Sequence, residues 1–168
     1  MTIGALDRSG PRPQLRFTRT LPHSPEKVWR AITEPEHRKN WFPDTVEGEF
    51  VAGAPLRFVS EYAEGGSFDG EVLQCDRPKV LEIRWGTDTL RFELQPDGTG
   101  TVLTLIDTFD EVGKAARDGA GWHECLDDLE VELDGRAREW QPGDRWKAVH
   151  PEYVAAFGPE GSSIGPPT

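Results

Sequence analysis

Few residues in this 168-residue chain have both the type and the spacing to do chemistry. Asp107 is the first. Between Thr101 and Phe109 the residues Leu103, Leu105 and Phe109 alternate on one face of a strand, and Asp107 shares that face. A carboxyl group on an apolar face is desolvated, and its pKa rises unless a partner compensates. Such a group can orient a ligand or act as a base; alternatively the strand bends outward near its end and Asp107 meets water. His123 follows Trp122 near the start of an amphipathic stretch. It either lines the mouth of an internal cavity and bonds a ligand there, or is a partly exposed structural histidine. His123 and Cys125 lie two residues apart, which puts them on different faces of a helix, and no third residue completes a metal site. The remaining histidines His23, His37 and His150 are scattered. No GxSxG, Walker loop, HExxH, CxxC or dinucleotide-binding glycine motif occurs. Ser24 is accounted for by helix capping and Gly65-Gly66 by a turn. No metal or cofactor is therefore expected, and no recognisable catalytic motif assigns catalytic residues.

The aromatic residues make a second candidate set. Trp41, Phe58, Trp85, Phe92 and Trp122 fall at inward positions, and with Asp107, His123 and Leu126 they form the expected ligand-binding residues. Inward aromatic residues are ordinarily plain core. A curved sheet wrapped around one helix cannot always be filled, which raises the pocket reading. Three classes of function stay open at this stage. An interior that is apolar throughout favours binding, two converging titratable groups favour catalysis, and a filled interior favours a protein-interaction role.

The elements that must position these residues are legible in the periodicity. From Gly121 to Gly135 the residues Trp122, Leu126, Leu129 and Leu133 recur at steps of three and four, the stripe of a helix packed on one face. Gly135 stands where a left-handed residue commonly ends a helix. Glu132 and Asp134 oppose the helix dipole there, and Arg136 and Arg138 partly compensate. Upstream, Gln14–Leu21 alternates as a first strand. Ser24, Pro25 and Glu26 open a helix with Val28, Trp29 and Ile32 buried, and Pro35 starts a second short one. Strands are then expected at 45–50, 55–62, 67–75, 80–85, near 90–94 and at 101–109, joined by turns such as Pro96-Asp97-Gly98. Residues 110–118 read as a short helical or irregular link. Consecutive hairpins imply antiparallel pairing. The fold class is α+β: a curved antiparallel sheet of six to seven strands around a long C-terminal helix, with two short helices after the first strand. The domain boundaries are a flexible N-terminal arm at 1–13, the sheet-and-helix domain at 14–136, a C-terminal extension at 137–158 that docks through Tyr153 and Phe157, and a disordered tail at 159–168.

Composition narrows the partners. The net charge of −11 disfavours nucleic-acid phosphate and anionic membrane surfaces, and the dispersed acids read as a solvated exterior. No apolar run approaches the ~20 residues of a membrane span. Cys75 and Cys125 lie on separate elements, and with no apolar leader before them a cytoplasmic, reduced pair is expected. Monomer and dimer both stay open.

The order of strand, two helices, six strands and long helix resembles the START-like or SRPBCC superfamily, the helix-grip fold. Within it the chain resembles the bacterial family named after the activator of the heat-shock-protein-90 ATPase. The motifs that carry the resemblance are Ser24 to Pro35 followed by Trp41, the strand Leu81–Trp85, Gly98 to Leu105, Gly121-Trp122 with Leu126, Leu129 and Leu133, and the ending Tyr153 to Gly158. It covers about residues 14–158. The resemblance implies a cavity between sheet and long helix able to hold an apolar or amphipathic molecule, and no single activity. The function expected is binding of a small apolar or aromatic ligand there. The alternatives are an enzyme of cyclase, hydratase or hydrolase type with Asp107 or His123 as acid or base, and a stress-response or chaperone-associated interaction module.

Overall fold

In the computed structural model, which describes residues 2–166, the chain forms β1 (Ala5–Asp7), β2 (Gln14–Leu21), α1 (Pro25–Thr33), α2 (Pro35–Arg38), β3 (Thr45–Glu47), β4 (Pro55–Val59), β5 (Ser67–Asp76), β6 (Val80–Trp85), β7 (Asp88–Asp97), β8 (Gly100–Thr108), α3 (Ala115–Leu133) and α4 (Asp144–Phe157). The strands make one antiparallel sheet in the order β1-β2-β8-β7-β6-β5-β4-β3. Leu15 and Phe17 of β2, Leu81 and Ile83 of β6, Leu90, Phe92 and Leu94 of β7, and Leu103 and Leu105 of β8 point to one side and are buried. Against that side lies α3 with Trp122, Leu126, Leu129 and Leu133 all buried. A register shift between Val72 and Gln74 puts a bulge in β5, and bulges of this kind bend and twist a strand. At Gly70 of the same strand a Cβ would lie 2.4 Å from the Phe58 ring, so only glycine lets that ring settle on the sheet.

The caps follow the sequence. The Ser24 side chain accepts from the Lys27 N–H at 3.3 Å, with Pro25 at the first helical position. Gly135 has φ +67° immediately beyond the end of α3. The acidic end of that helix is offset more broadly than the two arginines suggest. Arg136 does bond Asp134 at 3.0 Å, but Arg138 turns to Asp128. His23 and His37 meet Asp134 and Glu132, each at 2.8 Å.

Four expectations are corrected. The sheet has eight strands, because Ala5–Asp7 pairs with Gln14–Arg16 inside the segment read as a flexible arm. Leu6 and Ile3 of that segment pack against the core, which gives it reason to be ordered. The long helix begins at Ala115, not Gly121, so most of the expected link is helix. Its first turn is small and buried, with Ala115, Ala116 and Gly119, and short side chains leave no apolar stripe for periodicity to detect. The described part of 159–168 also returns to the domain. Gly161 O accepts from the Ala116 N–H at 2.8 Å, and the Ile164 N–H donates to Gly113 O at 3.0 Å. Pro167 and Thr168 of that expected tail lie outside the described residues.

Tyr153 and Phe157 stack edge to face, 5.4 Å between centroids, and α4 docks on α3. Close approach is possible because residue 119 is glycine: a Cβ there would stand 2.9 Å from the Tyr153 ring. Among the described residues no helix is long and apolar enough to cross a membrane.

The buried stripe of α3 sets a stability test. Leu129 is 1% exposed, so Leu129→Ala is expected to cost about 2–5 kcal/mol in denaturant-induced unfolding, as truncation of a buried leucine does. A loss below about 1 kcal/mol would show that Leu129 is not core.

Candidate functional site

Seven aromatic side chains assemble where α3 crosses the sheet. Trp122 comes from α3, Trp85 from β6, Phe92 from β7, Phe58 from β4 and Phe68 from β5. Trp41 and Phe42 come from the irregular segment between α2 and β3. The rings touch in sequence. Trp85 and Trp122 lie 5.3 Å apart, Phe42 is 5.9 Å from Trp122 and 6.2 Å from Trp85, and Trp41 is 6.0 Å from Phe92. Phe58 stacks on Phe68 at 5.2 Å. Most of these pairs are edge-on or tilted, the arrangement the ring quadrupole favours.

Both indoles in the centre of the array are held by carboxylates. The Trp122 Nε1–H donates to Asp107 Oδ2 at 3.0 Å, and the Trp85 Nε1–H donates to Asp44 Oδ2 at 2.7 Å. Asp107 is fully buried and Asp44 nearly so. Burial pushes the Asp44 carboxyl up, and hydrogen bonds from Ser60 and Trp85 pull against it. For Asp107 burial is again the largest cause, the negative charge of Asp88 adds to it, and the pKa lies well above the carboxylate range. Asp107 Oδ1 is buried without a hydrogen-bond partner. Asp88, also buried, is raised by desolvation. Oxygens of Asp88, Asp107 and Asp118 lie within 4.8 Å of one another.

The expected cavity is filled. Trp41 and Phe42, carried on the segment after α2, occupy the space between α3 and the sheet. Beside them, on the α1 side, lies a void of about 10 Å³ among Arg38, Trp41, Phe42, Phe50 and Phe92, at the limit for one water molecule. The segment is pinned at its base. The Arg38 guanidinium donates to Thr33 O at 2.7 Å and Val46 O at 3.3 Å, and the Trp41 Nε1–H donates to Ala31 O at 2.8 Å.

Of the residues singled out in the sequence, Trp41, Phe58, Trp85, Phe92, Trp122 and Asp107 are brought together, with Leu126 in the adjoining core. His123 is not. It is 1% exposed, so it is neither at a cavity mouth nor partly exposed, and it faces α4. One residue beyond Trp122 it points about 100° away around the helix. The Gly4 N–H donates to the Tyr153 hydroxyl at 2.8 Å, and we assign that hydroxyl's own proton to the bond with His123 Nδ1 at 2.9 Å. The proton of the neutral ring then sits on Nε2, 3.8 Å from Asp127. Five residues of the site escaped the sequence reading, among them Phe68 at the start of β5. Asp88 looked like part of a turn, yet it stands two before Leu90 and in phase with the inward residues of β7. Asp118 stands four before Trp122, on the same helical face, but was placed in a linker. Asp44 and Phe42 lie in an irregular segment where no period operates.

A curved antiparallel sheet closed on a long C-terminal helix, with short helices after the second strand, defines the helix-grip class. The sequence pattern of the family described as Activator of Hsp90 ATPase homolog 1-like protein matches residues 22–134. The chain belongs to that family. No curated protein matches the sequence. Among solved structures the fold is similar to CalU16 from Micromonospora echinospora, at 21% identity over 92% of this chain and 96% of that one, TM-score 0.71. It is also similar to EF2215 from Enterococcus faecalis, a conserved protein of unknown function, at 19% identity over 90% and 88%, TM-score 0.73. A third likeness, to MLL2253 from Mesorhizobium loti, has 27% identity over 74% of this chain and 99% of that one, TM-score 0.64.

His123 sets a pH test. Burial holds its pKa below the ordinary 6.5, with Arg19 and Arg145 adding to this and Asp127 and Glu152 opposing it. The folded state therefore binds fewer protons than the unfolded chain in the window below 6.5, and stability is lost as the pH falls through it. Urea unfolding of the protein and of His123→Gln should show a stability gap that shrinks from neutrality to about pH 5. A gap independent of pH would contradict the burial of a neutral imidazole.

Proposed function

We propose that this protein binds a small aromatic or apolar molecule in the grip between α3 and the sheet, and that Phe42 occupies the site when no ligand is present. The observation that supports the reading is the Trp85–Trp122 pair, with each indole N–H anchored on a buried carboxylate. A purely structural interior of this size would be filled more cheaply with aliphatic side chains, because every buried carboxylate costs several kcal/mol of desolvation. The arrangement instead keeps two indole faces at fixed orientation next to an irregular segment that can move. Phe42 has the character of a removable plug. It touches Trp41, Phe58, Trp85 and Trp122, it is 8% exposed, and it belongs to no helix or strand. Swinging it outward uncovers Phe58, Trp85 and Trp122 without breaking a strand pairing. Pre-formed, mostly apolar sites with a few fixed polar groups are the usual places for small ligands.

The filled interior favours a second reading, in which the domain is an interaction module and its core is only core. The catalytic reading, which asked for Asp107 or His123 as acid or base, keeps Asp107, whose carboxyl converges with those of Asp88 and Asp118, and not His123, which faces α4.

Phe42→Ala separates the first two. It leaves an apolar void of the roughly 150 Å³ class that takes up a benzene-sized molecule. Indole and benzene should then bind, quench or shift the tryptophan fluorescence and raise the melting temperature by mass action. The unaltered protein should respond to larger aromatic molecules that can displace Phe42. If a broad aromatic set leaves both proteins unchanged, the ligand reading fails and the interaction reading leads.

A further inference from the structure

The carboxylates behind Trp122 raise a problem of charge that the aromatic site does not answer. Asp107 at 0% exposure and Asp88 at 8% are both buried. Among the described residues neither is ion-paired to a lysine, arginine or histidine. The charges of Lys114 and Arg12 reach Asp88 without pairing with it, and Arg12 is committed to Asp110 and to Thr87 O, each at 2.8 Å. Arg117 meets Asp118 Oδ1 at 2.7 Å and neither of the others. Asp107 accepts one hydrogen bond from a donor, on Oδ2, while its enclosed Oδ1 has no donor and its carboxyl meets only that of Asp88. A buried anion pair must be neutralised by something, either a proton held between the carboxyls or a cation.

We propose that Asp88, Asp107 and Asp118 form a site for a calcium-sized divalent cation. The donors are all oxygen and all anionic, the set that hard cations take. One oxygen of each lies within 4.8 Å of the others, no farther apart than two oxygens on opposite sides of a Ca²⁺ with bonds of about 2.4 Å. The three come from different elements, at the start of β7, the end of β8 and the first turns of α3. An ion there ties the beginning of the gripping helix to two strands. Two charges on the ion and one on Arg117 balance three carboxylates. Entry is from the Asp118 side, where the side chain is 22% exposed, and water completes the shell. Asp107 Oδ1, which has no other partner, supplies the innermost ligand. The site stands apart from the aromatic proposal: it requires neither the movement of Phe42 nor any organic ligand.

The test uses the full chain, stripped with a chelator and titrated with Tb³⁺ as a luminescent stand-in for Ca²⁺, then with Ca²⁺ itself by calorimetry. The indole of Trp122, bonded to Asp107, is placed to sensitise the lanthanide. The expected result is a saturable signal for one ion per chain, displaced by Ca²⁺, with a rise in melting temperature. Asp107→Asn keeps an acceptor for Trp122 and should weaken Ca²⁺ by more than the roughly tenfold that loss of an outer-shell partner costs. Should that variant not fold, Asp118→Asn on the solvent side carries the same expectation. Absence of sensitised luminescence together with absence of binding heat overturns the proposal in favour of a proton shared between Asp88 and Asp107. Binding that both variants retain at full affinity overturns it in favour of loose association with the acidic surface.

Discussion

The hydrogen bond from the Trp122 indole to Asp107, 3.0 Å long and wholly enclosed, is the constraint on which the rest of the interior depends. Apolar burial of Leu126, Leu129 and Leu133 gives α3 its affinity for the sheet, but that attraction is non-directional and tolerates sliding. A buried hydrogen bond contributes about 0.5–1.5 kcal/mol net and fixes one geometry. It sets which turn of α3 stands over β8, and so where Trp122 meets Trp85. Trp85 is fixed in the same way from the other side by Asp44. Two indoles tethered at their polar edges leave their apolar edges and faces to one another and to Phe42. The aromatic array is thus a consequence of two acid anchors and one inserted ring, not of shape complementarity alone.

The same anchors give the site its chemistry. A carboxylate costs several kcal/mol to bury, more than one indole hydrogen bond returns, so the apolar contacts around it must carry the difference. Beyond them β1 extends the sheet at its edge and α4 covers α3. Gly4 and His123 converge on Tyr153, and glycine at 119 lets α4 press against α3. The outer layer is held through the Tyr153 hydroxyl and the inner one through carboxyl groups. Titration of His123 therefore loosens α4, whereas any event at Asp107 acts on the grip itself.

Much of the scaffold was legible in the sequence because it obeys a period. Alternation placed Leu81, Ile83 and Trp85 on the inner face, and three-four spacing placed Trp122, Leu126, Leu129 and Leu133 on one stripe; all but the half-buried Trp85 are buried. The same logic put Asp107 inside, and the structure leaves it there without an outward bend. What escaped was aperiodic or too small to register. The first turns of α3 carry alanine and glycine, which have no moment to detect. β1 is three residues long and is ordered by a tyrosine hydroxyl about 150 positions away. Phe42 and Asp44 sit in a segment whose conformation is set by the buried Arg38, and nothing local announces that. His123 shows the limit of proximity in sequence: one step along a helix from Trp122 carried it to another face and another partner.

A double-mutant cycle on Trp122 and Asp107, measured by denaturant unfolding of chelator-treated protein, tests the central interaction most directly. Trp122→Phe keeps an aromatic ring but strands the carboxylate, and Asp107→Leu removes the charge but strands the indole N–H. The account predicts that each single change destabilises, that the pair together costs less than the sum, and that the coupling lies in the range of about 0.5–3 kcal/mol seen for contacting groups. Strict additivity of the two changes would contradict it, because the indole and the carboxylate would then be buried side by side without depending on each other.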